Sequence, residues 1–189
     1  MITQEQKNKN FELYNKKLKQ VGVDLSSLDA FMLALKDASF TNSNEYGNAY
    51  PGSLVEIVLK VLTPYAVKLN ELLPEDMRVD KNTLVKVCLL HHIAKAVRLV
   101  PNDNQWEVEK RLLTYKYSDN QPSIRTGLHS LILAQQAGVT FTPEESEVMT
   151  VNDRDLTDDQ ARWHSSVMAT IVRMANEMTY TQINRKNNG

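Results

Sequence analysis

Two adjacent histidines, His91 and His92, are the residues of this chain best suited to chemistry. Imidazole nitrogens bind metal ions and exchange protons near neutral pH. Neighbouring side chains on a helix diverge by about 100 degrees, so such a pair rarely reaches one ion, and a zinc site needs further ligands. The other histidines, His129 and His164, complete no His-x-x-x-His spacing, and we expect His164 to pack beside Trp163. The histidine pattern therefore disfavours a zinc site.

Basic side chains follow the histidine pair at positions that are candidates for binding a ligand. They are Lys95, Arg98, Arg125 and His129. The first two lie one turn apart on one face of a predicted helix, and the other two belong to a later helix. Such groups could bind an anion, for example a nucleotide or a phosphorylated metabolite. The alternative is that the first two point into solvent or pair with Asp103 and Glu107.

Other chemical motifs carry no function here. The acidic run Asp153, Asp155, Asp158 and Asp159 lacks the Gly and the closing Glu of a calcium-binding loop, so we interpret it as caps and a solvated linker. Cys88 lies in an apolar run, which indicates a buried, unreactive thiol. The sequence has no glycine-rich phosphate loop, nucleophile elbow or dinucleotide-binding fingerprint.

Composition narrows the class of protein. The chain has 189 residues, 42% hydrophobic and 24% charged, which fits one globular domain. A net charge of -1 gives no reason to expect a nucleic-acid partner. No apolar run is long enough to span a membrane and no signal peptide is evident, so we expect a cytoplasmic protein. The sequence leaves a homo-oligomer open.

Hydrophobic spacing predicts an all-α fold as the scaffold for these residues, because only 6 Gly and 6 Pro interrupt the chain. The predicted N-terminal helices are 3–19 with a Thr3 cap, 28–38, 53–72 with a Ser53–Glu56 capping box and a kink at Pro64, and 80–97 with an Asp80 cap. Residues 41–52 read as a loop. Later helices are predicted over 123–138, from Thr142, and from Thr157 through Met178.

A small β-hairpin is predicted across residues 105–117. Apolar residues alternate there, first in Trp106 and Val108 and then in Leu113, Tyr115 and Tyr117. Such alternation is typical of strands.

Three segments share their order and spacing with the motifs of one protein family. Residues 51–62 match a Gly-x-Leu-x-x-His helix, residues 89–96 a Leu-Leu-His-Asp-Ile-Gly-Lys signature, and residues 172–177 a late Ala-Asp pair. The chain thus resembles the HD-domain superfamily of metal-dependent phosphohydrolases. We expect a single domain over residues 1–189, with accessory helices over 1–40 and a frayed tail over 185–189, and the resemblance implies that residues 51–180 form an HD-like core.

The same resemblance implies that the metal site is degenerate. In this family an early His, a His-Asp pair and a late Asp hold a divalent ion that activates water. The matching positions here are Ile57, His91, His92 and Asn176, so only His91 keeps the family's ligand. Two carboxylates are lost, and magnesium or manganese should bind poorly. We therefore expect no metal cofactor and no metal-dependent phosphohydrolase activity, with a binding or regulatory role for a phosphorylated ligand.

Two alternatives remain at this point. One is an active phosphohydrolase that holds manganese, iron, zinc, nickel or magnesium at His91, His92 and Asn176. The other is a structural or interaction module whose cleft is filled by apolar side chains, Ile57 among them. Lys95 stands where the family has a lysine near the phosphate, so an open cleft lined by cations would favour ligand binding.

Overall fold

The computed structural model describes residues 2–153 and 165–185, and within them the chain is mostly helical with one two-stranded sheet. The helices are α1 (Gln4–Gln20), α2 (Asp29–Asp37), α3 (Ser53–Ile57), α4 (Thr63–Glu71), α5 (Lys81–Leu90), α6 (Lys95–Arg98), α7 (Gln105–Arg111), α8 (Thr126–Gln136), α9 (Pro143–Thr150) and α10 (Val167–Ile183). A π-helical segment, Val58–Leu62, joins α3 to α4, and short 3-10 turns lie at Glu75–Met77 and Val151–Asp153. The all-α prediction is confirmed. None of the described helices has the length and apolar character needed to cross a membrane.

One continuous apolar cluster runs through the described helices. It includes Tyr14 of α1, Leu35 of α2, Leu90 of α5, Met149 of α9 and Val172 of α10, all at most 1% exposed. Burial of side chains of this size stabilises a fold by roughly 1.5–3 kcal/mol each. The N-terminal helices therefore share a core with α5, which leads into the histidine pair, and with α10, which carries Asn176.

Three predicted helix starts are confirmed. The Thr3 hydroxyl accepts a hydrogen bond from the Gln6 N–H at 3.1 Å, and the Asp80 carboxylate accepts one from the Thr83 N–H at 2.8 Å. Thr142 and Glu145 form a reciprocal capping box at the start of α9. These caps satisfy N–H groups that the first helical turn leaves without partners.

The predicted capping box of Ser53 and Glu56 is wrong. Gly52 holds the N-cap position with a left-handed φ of 87°, and Ser53 is already helical. The buried Ser53 hydroxyl instead accepts a hydrogen bond from the Phe40 N–H at 2.9 Å. The Ser53 side chain therefore makes a tertiary hydrogen bond instead of the helix cap that its local spacing predicted.

Pro64 follows the π-helical segment, with Thr63 between them. The Thr63 N–H donates to the Val58 carbonyl, five residues back, so the helix opens by one wide turn just before the proline. Proline has no N–H to donate and crowds the preceding turn. The irregularity expected at this site is therefore a π turn, and helical structure continues through α4.

The β-hairpin predicted across residues 105–117 needs correction. The sheet pairs β1 (Leu99–Pro101) with β2 (Tyr115–Tyr117) in antiparallel register, and α7 lies between the strands. Trp106 belongs to that helix, where the Asn104 side chain accepts a hydrogen bond from the Glu107 N–H at 3.3 Å. Because the Asn104 side chain caps α7, Trp106 and Val108 lie in a helix, although the alternation of apolar residues suggested a strand.

The C-terminal part of the chain agrees with the predictions in one place and departs in another. Gly138 has a φ of 83° just after α8, as expected of a stop signal. A single helix from Thr157 through Met178 is wrong, because Ser166 is extended and its hydroxyl caps α10. Thr157 itself, the acidic residues after Asp153, the pair Trp163 and His164, and tail residues 186–189 lie outside the described residues.

Candidate functional site

Helix α5 ends at Leu90, immediately before His91 and His92. The Ile93 N–H donates to the Leu90 carbonyl at 3.2 Å, and the Lys95 N–H donates to the His92 carbonyl at 3.0 Å. Both bonds span three residues, which is tighter than the four-residue spacing of an α-helix. The continuous helix predicted over residues 80–97 is therefore wrong, and the break lies at the histidine pair.

Buried side chains from two other helices hold this break in place. The Tyr14 hydroxyl on α1 donates to the Leu89 carbonyl at 2.7 Å, and the Ser130 hydroxyl on α8 accepts from the Ala94 N–H at 3.0 Å. Each bond satisfies a backbone group near the break, and an unsatisfied buried group costs about 1–3 kcal/mol.

His91 and His92 are both buried, and each ring is held by an asparagine. The Asn152 Nδ2 lies 2.6 Å from His91 Nε2, and the Asn176 Oδ1 lies 2.8 Å from His92 Nε2. An amide nitrogen only donates and an amide oxygen only accepts. His91 thus carries its proton on Nδ1, and His92 carries its proton on Nε2. The ring centroids are 4.6 Å apart.

Burial keeps both rings neutral. Burial is the main cause that lowers the pKa of His91 to about 4, and the charge of Lys95 adds to it. The pKa of His92 is lowered well below its ordinary value by burial, then by Lys95 and His91, against the opposing hydrogen bond of Asn176. Loss of water around an imidazolium disfavours the charged form. Neither ring carries a charge at pH 7.

The histidine pair forms one wall of a cleft of about 300 Å³. The cleft is lined by Phe40, Thr41, Asn42, His91, His92, Lys95, Arg98, Leu99, Tyr117, Thr126, Gly127, Asn152, Asn176 and Tyr180. Among these described residues there is no Asp or Glu, whereas there are two basic side chains, Lys95 and Arg98. The cleft is polar and electropositive.

Lys95 is held by an aromatic clamp. Its ammonium donates to the Phe40 carbonyl at 2.7 Å and to the Tyr180 hydroxyl at 2.8 Å, and it lies 3.9 Å from the centroid of the Phe40 ring. An ammonium has three N–H donors, so one is left. Because the Tyr180 oxygen accepts from Lys95, its own O–H is also free to donate.

Arg98 joins the cleft to the loop before α8. Its Nη1 donates to the Ile124 carbonyl, while its buried Nε makes no hydrogen bond in the described part of the chain. The acidic residues proposed as partners are engaged elsewhere, since Asp103 pairs with Lys116 at 2.5 Å and Glu107 with Arg111 at 3.3 Å. The alternative that these carboxylates neutralise the cleft cations is wrong.

The structure brings most of the predicted site residues together and leaves one of them in the core. His91, His92, Asn176, Lys95 and Arg98 meet at the cleft. Ile57 is 4% exposed and belongs to the apolar core, outside the cleft lining.

The two predicted residues of the α8 region do not line the cleft. Arg125 lines an adjoining cavity with Arg98. His129 is buried, and its pKa is lowered by burial and by the charge of Arg98.

Sequence reasoning missed several lining residues. Tyr180 lies one helical turn after Asn176, so the i, i+4 rule could have found it. Asn152 and Phe40 carry no such signal, because they reach the cleft from segments distant in sequence.

The residues present do not fit a magnesium or manganese ion. Such ions require oxygen ligands, several of them charged, whereas the donors gathered here are neutral imidazoles and amides. The Nε2 atoms of both histidines are already engaged by Asn152 and Asn176. Within the described ranges, no group of three or more His, Cys, Asp or Glu side chains could hold a metal.

Comparison of the chain with protein-family models, with curated proteins and with solved structures finds no match. The HD-domain resemblance therefore stands as a proposal, and the functional conclusion rests on the cleft.

Proposed function

We propose that this protein binds a small phosphorylated ligand, a metabolite or a nucleotide, in the cleft and does not hydrolyse it by a metal-dependent route. The observation that carries the proposal is that Lys95 and Arg98 line a cleft with no carboxylate among its described lining residues. Two cations facing one cavity without a countercharge favour an anion there.

Three hydrogen-bond donors on side chains of the cleft remain unused. They are the third N–H of Lys95, the O–H of Tyr180 and the Nε–H of Arg98. A phosphate group offers only acceptors at neutral pH apart from one titrating proton, and charge-assisted bonds to it are stronger than neutral ones. The donor set therefore suits a phosphate better than a neutral ligand.

We further propose that the fold is a degenerate HD domain. Support comes from the meeting of His91, His92 and Asn176 at one cleft, since Asn176 lies on a helix far along the chain from the other two. Lys95 points at the same cleft, as the resemblance implies. Ile57 stands at the position of the family's early His, yet it lies in the apolar core and not at the cleft. In this respect the chain departs from the family's arrangement.

Of the two alternatives, the filled cleft has less support. Ile57 does not occupy the cavity, which retains about 300 Å³. The unorthodox metal site is opposed by the donor chemistry, because His92 and Asn176 bind each other.

Thermal unfolding of wild type and Lys95→Gln in the presence of inorganic phosphate, fructose 6-phosphate or AMP tests the proposal. At ten times its Kd, a ligand stabilises the folded state by about 1.4 kcal/mol, which raises the Tm of a chain of this size by roughly 3–6 °C. We expect this shift in wild type and its loss in Lys95→Gln.

The matched control is Lys16→Gln, the same charge change at an exposed position of α1. It should keep the wild-type shift. Equal shifts in all three proteins, or none with any probe in wild type, would contradict the proposal. Release of phosphate from AMP that disappears in His91→Gln would instead support the phosphohydrolase alternative.

A further inference from the structure

A second cavity, of about 380 Å³, adjoins the cleft. It is lined by Arg98, Tyr117, Ser123, Ile124, Arg125 and Thr126. Three of these residues, Arg98, Tyr117 and Thr126, also line the cleft. We call this second space the outer cavity. The shared walls mean that the two spaces meet at Arg98.

We propose that the ligand carries two separated anionic groups, one bound at Lys95 in the cleft and the other at Arg125 in the outer cavity. This inference rests on the proposed function and adds a ligand class to it. The two cavities provide cations at both ends, with Arg98 between them. A ligand with a single anionic group would leave the outer end uncompensated.

Arg98 fixes the geometry of the junction. Its Nη1 donates to the carbonyl of Ile124 and, at 3.4 Å, to that of Pro122, so α6 is tied to the loop that carries Arg125. These carbonyls occupy only one of the guanidinium nitrogens, and the fork geometry of arginine leaves donors for an anion. The backbone next to Arg125 is thereby tied to α6.

Tyr117 provides a surface between the two ends. It is 60% exposed although it is a large aromatic residue, and its ring centroid lies 5.9 Å from Arg98 Cζ. Its pairing with Leu99 in the sheet places it next to Arg98. An exposed ring at the junction can cover the middle of a ligand whose charged ends lie on either side.

Arg125 is available for this role. The residue is exposed, and its side chain makes no hydrogen bond or ion pair within the described ranges. Substitution there removes no contact that supports the fold. Two anionic groups joined in one molecule bind more tightly than either alone, since the second contact forms without a further loss of translational freedom.

Calorimetric titration with fructose 6-phosphate and fructose 1,6-bisphosphate tests this inference on the full chain. The two probes share one sugar and differ by one phosphate. We expect the bisphosphate to bind wild type at least tenfold more tightly. Arg125→Gln should reduce that ratio to about two or less, mainly by weakening the bisphosphate, whereas Lys95→Gln should weaken both probes.

The control Lys16→Gln makes the same charge change far from both cavities and should keep the wild-type ratio. Equal affinity of the two probes in wild type, or a ratio that Arg125→Gln leaves unchanged, would overturn the inference while the proposed function stands. A ratio that Lys16→Gln lowers as much as Arg125→Gln does would indicate long-range charge only and would also overturn it. No binding of either sugar phosphate would overturn the inference, and the absence of binding by inorganic phosphate and AMP as well would overturn the proposed function with it.

Discussion

The neutral state of His91 gives the folding stability of this protein a pH dependence that can be measured. Its pKa is about 4 in the folded protein, because burial and the charge of Lys95 disfavour the imidazolium, against 6.5 for an exposed histidine. Between these values the unfolded chain binds a proton that the folded chain does not. Lowering the pH through this window therefore stabilises the unfolded state.

The magnitude follows from the two pKa values. The contribution of His91 is complete above about pH 7, declines as the pH falls from about 6.5 and is lost by about pH 4. Its full size is about 3 kcal/mol, of which about 2 kcal/mol is lost by pH 5. Protonation at Nε2 would also oppose the Asn152 amide, which donates to that atom.

Urea unfolding of wild type and His91→Gln between pH 7 and pH 5 measures this term. Gln keeps an acceptor for Asn152 but does not titrate. The remaining ionisable groups are the same in both proteins, and burial, the main cause that lowers the pKa of His92, acts in both, so the difference in unfolding free energy reports mainly on His91. We expect the advantage of wild type to shrink by about 2 kcal/mol from pH 7 to pH 5. A difference that stays constant within about 0.5 kcal/mol would refute the reasoning that burial holds the ring neutral.

Substitutions in the core and at the helix break extend these tests. Tyr14→Phe removes the donor to the buried Leu89 carbonyl and should cost roughly 1–3 kcal/mol in urea unfolding, whereas Tyr46→Phe, for which no hydrogen bond is lost, should cost under about 0.5 kcal/mol. Leu62→Ala opens a cavity at a fully buried position and should lower the unfolding free energy by roughly 2–5 kcal/mol; a loss under about 1 kcal/mol would mean the core collapses around it. Ile57→His should cost roughly 3 kcal/mol or more and bind no manganese by calorimetry, because the position lies in the apolar core; metal binding there would contradict its placement.

Local signals predicted much of the fold. The caps at Thr3, Asp80 and Thr142 were found from residue types alone, because a cap needs only a side-chain oxygen and N–H groups two or three positions later. The stop at Gly138 follows from the freedom of glycine to adopt a positive φ. Helix caps and stops depend on residues that are close in sequence, so they can be predicted from the local sequence pattern.

Features that depend on distant partners were missed. The break after Leu90 is held by hydroxyl groups from α1 and α8, and nothing in the local sequence announces them. The strand that contains Tyr115 pairs with β1, so the hairpin predicted from local alternation had the wrong first strand. Ser53 has the spacing of a helix cap, yet its hydroxyl accepts a hydrogen bond from the Phe40 N–H.

The candidate site also has features that the local sequence predicts and features that depend on distant segments. The sequence by itself determined that His91 and His92 are adjacent, that carboxylates are missing from the positions the resemblance assigns to a metal, and that Lys95 and Arg98 are three positions apart. These are facts of composition and order, and no folding can change them.

Only the tertiary structure decided which groups meet. It placed Asn152 and Asn176 on the two imidazoles, Phe40 and Tyr180 around Lys95, and left Ile57 in the core. It also paired Asp103 with Lys116 and Glu107 with Arg111, so these carboxylates are not partners of Arg98. The physical reason is that the charge and protonation of a site are set by burial and by contacts between distant segments, and neither quantity is encoded in local spacing.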